Sequence, residues 1–197
     1  VDFYICGYNP AHSELRGGAM GEPMPFHDAN NGGPNMLWRN EGNLGFKDVT
    51  GVTGMNVNNT RYSFAASWED YDNDGDQDLY VANDYGRNCL YRNDGGSFSE
   101  IAAKLRLEDT SSGMSVSWAD FNLDGQMDVY TSNMFSSAGN RITYQKQFKS
   151  DLPEDVRKQF QHLAIGNSLF EGVANKPFKD VGIGAGVNMG RWAWGSK

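Results

Sequence analysis

Nine residues constrain this chain more than any other stretch: Asp70-Tyr71-Asp72-Asn73-Asp74-Gly75-Asp76-Gln77-Asp78 sets carboxylates at positions 1, 3, 5 and 9 around a glycine. Without a cation such a loop repels itself. A hard divalent ion turns it into a cage, with oxygens from Asp70, Asp72, Asp74 and Asp78, a backbone carbonyl from Asp76, and Gly75 permitting the sharp bend. Calcium is the expected ion, because it accepts many oxygens in irregular geometry whereas magnesium holds to an octahedron and keeps its waters. The absence of Cys and His from the set argues against zinc. The loop is not an EF-hand: position 12 is Val81 rather than Glu, and Asp78-Leu79-Tyr80-Val81-Ala82 has a strand pattern. A second copy follows, Asp120-Phe121-Asn122-Leu123-Asp124-Gly125-Gln126-Met127-Asp128. With Asn122 giving an amide oxygen at the third position, it is expected to bind somewhat more weakly. Two structural calcium sites are therefore expected.

The loops sit inside a repeat of about fifty residues, a period that marks stacked or radial architectures. Phe64-Ala-Ala-Ser-Trp68 recurs as Met114-Ser-Val-Ser-Trp118, and Asp78-Leu-Tyr80 recurs as Asp128-Val-Tyr130. Asn88-Cys-Leu90 matches Asn35-Met-Leu37 upstream and Asn167-Ser-Leu169 downstream. Each unit carries four short segments rich in aromatic and β-branched residues, separated by Gly, Asn and Asp turns, the signature of antiparallel sheet. The expected fold is all-β: four-stranded antiparallel blades of a partial β-propeller, with one short helix in an insertion. The expected divisions are strands 2 to 4 of a blade over 1–60, a full blade over 61–110, a full blade with a helical insertion over 111–185, and strand 1 of a next blade over 186–197. Such a set is expected to belong to a longer chain, or to an open array that partners complete. Trp68 and Trp118 are expected to pack between blades rather than stack on a ligand.

Two insertions, 8–34 and 134–166, interrupt the period between the second and third strands of their units. In an antiparallel blade these connections leave the face opposite the aspartate loops, so both insertions share that face. Residues 151–166 are expected to hold the helix, with Asp151 as cap and Val156, Phe160 and Leu163 as its apolar stripe. A ligand site on this face would draw on His12, Arg16, Phe26 and His27 from one insertion and Phe135, Arg141 and Tyr144 from the other, since aromatics beside arginine suit sugars or protein surfaces.

A formal net charge of −8 argues against nucleic acid as a partner. No apolar run reaches membrane-spanning length. Cys6 and Cys89 have neither metal-type nor redox-type spacing and read as buried thiols, with a disulfide left open. The three histidines, His12, His27 and His162, all lie in the insertions, and no nucleophile or acid–base constellation accompanies them, so no enzyme activity is expected.

The two loops match D-x-D/N-x-D-G-x-x-D position by position, and the repeats resemble the FG-GAP/VCBS family of calcium-binding β-propellers, which includes the integrin α-subunit propeller. The segments Ser132–Ile142, Gly166–Phe170 and Gly190–Gly195 are similar to bacterial members associated with ASPIC-type regions. The resemblance implies an extracellular, cell-surface or periplasmic module for adhesion or for binding a protein or glycan. The alternatives are a structural subunit of a surface layer or fibre, which would self-associate or join further blades, and, third, a hydrolase or lyase built on a propeller.

Overall fold

Strand β5 (Asp78–Asp84) is buried along its whole length, and its two-residue alternation explains what surrounds it. Leu79 and Val81 point into one core with Leu37, Val49, Met55, Cys89, Tyr91 and Phe98. Tyr80 points into another, with Leu90, Ala102, Leu107, Val129, Phe170 and Phe178. A strand apolar on both faces needs a sheet on each side.

The computed structural model describes residues 1–9, 22–191 and 193–196. Its sheets are antiparallel meanders. The first joins β1 (Phe3–Ile5), β2 (Met36–Gly42) and β3 (Gly45–Asp48). The second joins β4 (Tyr62–Glu69), β5, β6 (Cys89–Asp94) and β7 (Ser97–Glu100). The third joins β8 (Gly113–Ala119), β9 (Asp128–Asn133), β10 (Ser168–Glu171) and β11 (Lys179–Asp180). The chain is thus all-β, with sheets of the kind that form propeller blades. The repeat extends to irregularities: β4 bulges between Ser63 and Ala65 where β8 bulges between Gly113 and Ser115. The β6–β7 turn uses Gly95 (φ 64°) and Gly96 (φ 91°), the positive dihedrals a two-residue hairpin requires.

The tryptophans lie between sheets. Trp68 meets Tyr4 of the first sheet at 6.4 Å and Phe98 of its own at 6.0 Å. Trp118 meets Tyr80 of the second sheet at 6.0 Å and Phe178 at 6.4 Å. Trp68 nevertheless keeps 39% of its surface exposed.

A buried asparagine closes each unit. The Oδ1 of Asn35, Asn88 and Asn167 accepts the backbone N–H of Gly7, Asn83 and Asn133 respectively, at 2.7, 2.8 and 2.9 Å. These amides stand where the second strand ends and its ladder partner runs out, so the side chain replaces a lost sheet bond. Asn88 also donates to Tyr80 Oη at 3.2 Å.

The helices differ from expectation. The 134–166 insertion holds two, α2 (Ser137–Thr143) and α3 (Glu154–His162), and a short α1 (Ala102–Leu105) precedes the third sheet. Ser136 caps α2 by accepting from Gly139 N–H at 2.9 Å. Asp151 does not cap α3; Pro153 stands at the N-cap in extended conformation without a side-chain bond, because the residue before a proline resists the helical region and delays the start. The helix ends at His162 rather than running to Gly166. The 186–197 stretch forms no ladder among the described residues; Ser196 Oγ instead lies 2.8 and 2.7 Å from the hydroxyls of Ser115 and Ser117 on β8. A first strand pairs only with the second strand of its own blade, and no described segment occupies that place. Cys6 and Cys89 are free thiols. Among the described residues no helix is long and apolar enough to cross a membrane.

Asn88→Ala removes the acceptor for Asn83 N–H inside a closed core, an unsatisfied donor that costs about 1–3 kcal/mol. The midpoint of urea unfolding falls accordingly with its slope unchanged.

Candidate metal centre

Each aspartate loop joins the first strand of its sheet to the second, β4 to β5 and β8 to β9, and in the first loop the hairpin gathers three carboxylates. The loops close on their own first residue. Asp70 accepts from the N–H groups of Asp74 and Gly75 at 3.0 and 3.1 Å, and Asp120 accepts from Asp124 and Gly125 at 3.0 and 2.9 Å. Gly75 (φ 95°) and Gly125 (φ 84°) supply the left-handed turn. The fourth position is also left-handed, and Asn73 (φ 60°) suits it better than Leu123 (φ 60°), whose side chain stands out into solvent.

The ninth residue is the anchor. Asp78 is fully buried; one oxygen accepts from Asn93 N–H at 2.8 Å and the other from Tyr71 N–H at 3.3 Å. Asp128 repeats this with Gly172 N–H at 2.7 Å and Phe121 N–H at 2.9 Å. Asp2 takes the same place in the first unit, accepting from Asn40 N–H at 2.9 Å. Asp76 turns one carboxylate oxygen to Gly95 N–H at 2.7 Å. Asp74 spends one oxygen on Asp76 N–H at 2.9 Å.

Oxygens of Asp70, Asp72 and Asp78 lie within 4.8 Å of one another. Burial pushes the Asp78 carboxyl up to about 6, with Asp72 and Asp74 adding to the rise against the two backbone hydrogen bonds. Burial likewise raises Asp72, with Asp74 and Asp70 contributing, and raises Asp128, with Asp124 and Asp120 contributing. An all-oxygen, carboxylate-rich set in which one member is buried and proton-seeking fits a hard divalent cation. In the second loop Asn122 Nδ2 donates to Asp124 Oδ2 at 3.1 Å and to Glu171 Oε1 at 3.2 Å, while the Gln126 amide turns to Gly125 O at 3.1 Å.

The ligand residues expected on the insertions are only partly gathered. His12 and Arg16 lie outside the described residues. Phe26 stacks on Phe160 of α3 at 6.3 Å and His27 meets the same ring at 5.5 Å, so the two insertions do meet. Phe135 bridges to Ile165, Arg141 sits in the last turn of α2, and the exposed Tyr144 follows it. No ring contact or hydrogen bond joins these three to Phe26 among the described residues.

Two features stand outside the sequence expectations, one of them without any signal in the sequence. His162 Nε2 lies 2.8 Å from Asp109 Oδ1, whose side chain is wholly buried and also accepts from Asn133 Nδ2 at 3.0 Å. Burial opposes the charged imidazole, but the Asp109 hydrogen bond and charge outweigh it and raise the His162 pKa. Fifty-three residues separate the pair, and no motif announces it. Glu171 beside the second loop was detectable, since it stands four residues after Asn167 as Arg92 does after Asn88.

The pH dependence of the metal-free chain follows from Asp78. A carboxyl raised in the folded state holds its proton where the unfolded chain has released it, so stability falls as pH rises from about 4 to about 6. Thermal melts in chelator across this range are expected to show a falling Tm, and a divalent cation is expected to reverse the trend.

A model of the FG-GAP-like repeat family matches residues 70–131, from the first residue of the first loop through the second loop into β9. No curated protein matches the chain.

Proposed function

We propose that this chain is a calcium-stabilised, extracellular β-propeller segment that binds a glycan or protein ligand and catalyses no reaction. The observation that carries the reading is the convergence of Asp70, Asp72 and Asp78 within 4.8 Å around a buried carboxylate. Three like charges so placed destabilise the hairpin unless a cation offsets them. Asp70, Asp72, Asp74, Asp78 and the Asp76 carbonyl would hold one ion; Asp120, Asn122, Asp124, Asp128 and the Gln126 carbonyl would hold the other. The ions would supply folding energy and no chemistry. Because Asp78 and Asp76 are also bonded to Asn93 and Gly95, an ion in the first loop would clamp β4, β5 and the β6–β7 turn together.

Extracellular placement is supported by the repeat match and by the affinity of such modules, about 10⁻⁴–10⁻³ M, which suits calcium outside cells. The loop pattern supports the calcium-binding VCBS subtype, and the Ser132–Ile142 region the ASPIC-associated one. Binding rather than catalysis is supported by the rigid stacked sheets with elaborated connections.

Calcium at a hundred times its Kd adds about 2.7 kcal/mol per site, or roughly 5–10 °C in Tm for a chain of this size. Asp70→Ala with Asp72→Ala is expected to remove one increment, and Asp120→Ala with Asp124→Ala the other. An unchanged Tm in wild-type protein on adding calcium after chelation overturns the metal reading. A glycan and protein array probed in calcium and in chelator tests the rest: a calcium-dependent hit supports a binding module, whereas self-association with no hit moves the function to surface assembly.

A further inference from the structure

Between the second and third sheets, on the side where the aspartate loops emerge, runs a groove of about 580 Å³. Its size falls within the usual range for small-ligand sites. Phe178 lines it and is nearly buried, packed 6.1 Å from Tyr71 and tied to α1 by its N–H, which donates to Leu105 O at 3.0 Å. Two fixed elements thus form the wall: α1, with Ile101 and Leu105, and the β10–β11 connection, whose turn is held by Lys176 N–H donating to Val173 O at 3.0 Å.

The charge of the groove opposes that of the chain. Arg92, Lys104 and Lys176 line it against the single carboxylate of Asp72, although the whole chain carries −8. Arg92 is shared with Asp94 at 2.8 Å, whereas Lys104 and Lys176 are exposed and have no ion-pair partner among the described residues. Side-chain amides of Asn73, Gln126 and Asn175 complete the lining and offer both donors and acceptors.

We infer that this groove binds an acidic saccharide, its rings against Tyr71 and the edge of Phe178, its hydroxyls on the amides, and its carboxylate or sulfate between Lys104 and Lys176. Aromatic walls beside amides suit sugar rings, and lysines recognise a single anionic group as point charges without demanding a fork geometry. The inference rests on the ligand-binding reading but moves the site from the insertions to the opposite side. It also makes affinity calcium-sensitive: an ion in the first loop would neutralise Asp72, the one groove carboxylate that repels an anion.

Titration calorimetry of the whole chain would use trigalacturonate, its methyl-esterified neutral counterpart and a sulfated heparin disaccharide, each in calcium and in chelator. The acidic probes are expected to bind, with the carboxylate and sulfate arms showing which group is preferred. The ester is expected to bind at least about tenfold more weakly, and Lys104→Ala with Lys176→Ala to weaken the acidic probe at least about tenfold at unchanged Tm. Lys146→Ala, in the insertion, is expected to leave affinity as it is. No binding of either acidic probe, equal binding of the ester, or indifference to the double lysine substitution overturns the site. Melts on the same samples report the metal sites separately: a groove that binds with no calcium-dependent Tm leaves this inference standing and removes the metal reading, and the reverse pair of results removes the groove alone.

Discussion

One carboxylate at the start of each second strand holds the repeat together. Asp2, Asp78 and Asp128 each accept a backbone N–H from the end of the third strand, at Asn40, Asn93 and Gly172, and in the two complete hairpins the other oxygen reaches back to the second residue of the loop. A side chain that bonds forward and backward at once fixes two hairpins relative to each other. Because the group is buried in the second and third sheets, its charge must be met there by hydrogen bonds, by a proton or by a cation. Asp2 makes the same forward bond from an exposed position. The proposed cation would act chiefly on the other carboxylates that the first hairpin brings together.

The same repeat divides the core in two. Alternation along β5 sends Leu79 and Val81 one way and Tyr80 the other, and the neighbouring sheets meet each set. Trp68 and Trp118 lie across these junctions, so stacking of sheets and closing of loops share residues within a few positions of each other. Strain or repulsion in a loop therefore acts close to the inter-sheet packing.

Strand placement was legible because it rests on local signals: alternation, turn residues, and a motif repeated at fixed spacing. The aspartate loops were legible for the same reason: the motif foretold the positive φ at Gly75 and the gathering of Asp70, Asp72 and Asp78. Other features depend on partners far away in sequence and have no local mark. Helix α2 begins on the Ser136 cap inside a polar stretch with little apolar period, and α3 starts late because Pro153 follows Leu152. Phe26 and His27 looked like free ligand-binding side chains, yet the second insertion folds back and places Phe160 on them. The His162–Asp109 pair links that insertion to the segment before β8, a contact created by tertiary folding alone.

The two loops differ in where they carry their charge. At the third position the first loop has Asp72, whose pKa is raised by burial with Asp74 and Asp70 adding to the rise, while the nearby Arg92 partly opposes it. The second loop has the neutral Asn122, and the residue equivalent to Arg92 is Glu171, 3.2 Å from the Asn122 amide. Negative charge has moved from the loop to the adjoining strand, and the positive charge beside it has gone. Counting loop ligands alone makes the second proposed site somewhat the weaker. Counting the charge within reach narrows that gap, since Coulomb attraction for a divalent ion acts over several ångströms and does not require direct ligation. The first loop gathers Asp70, Asp72 and Asp78 within 4.8 Å, whereas the second divides its charge between the loop and Glu171, so the two proposed cages would attract a divalent ion by different means.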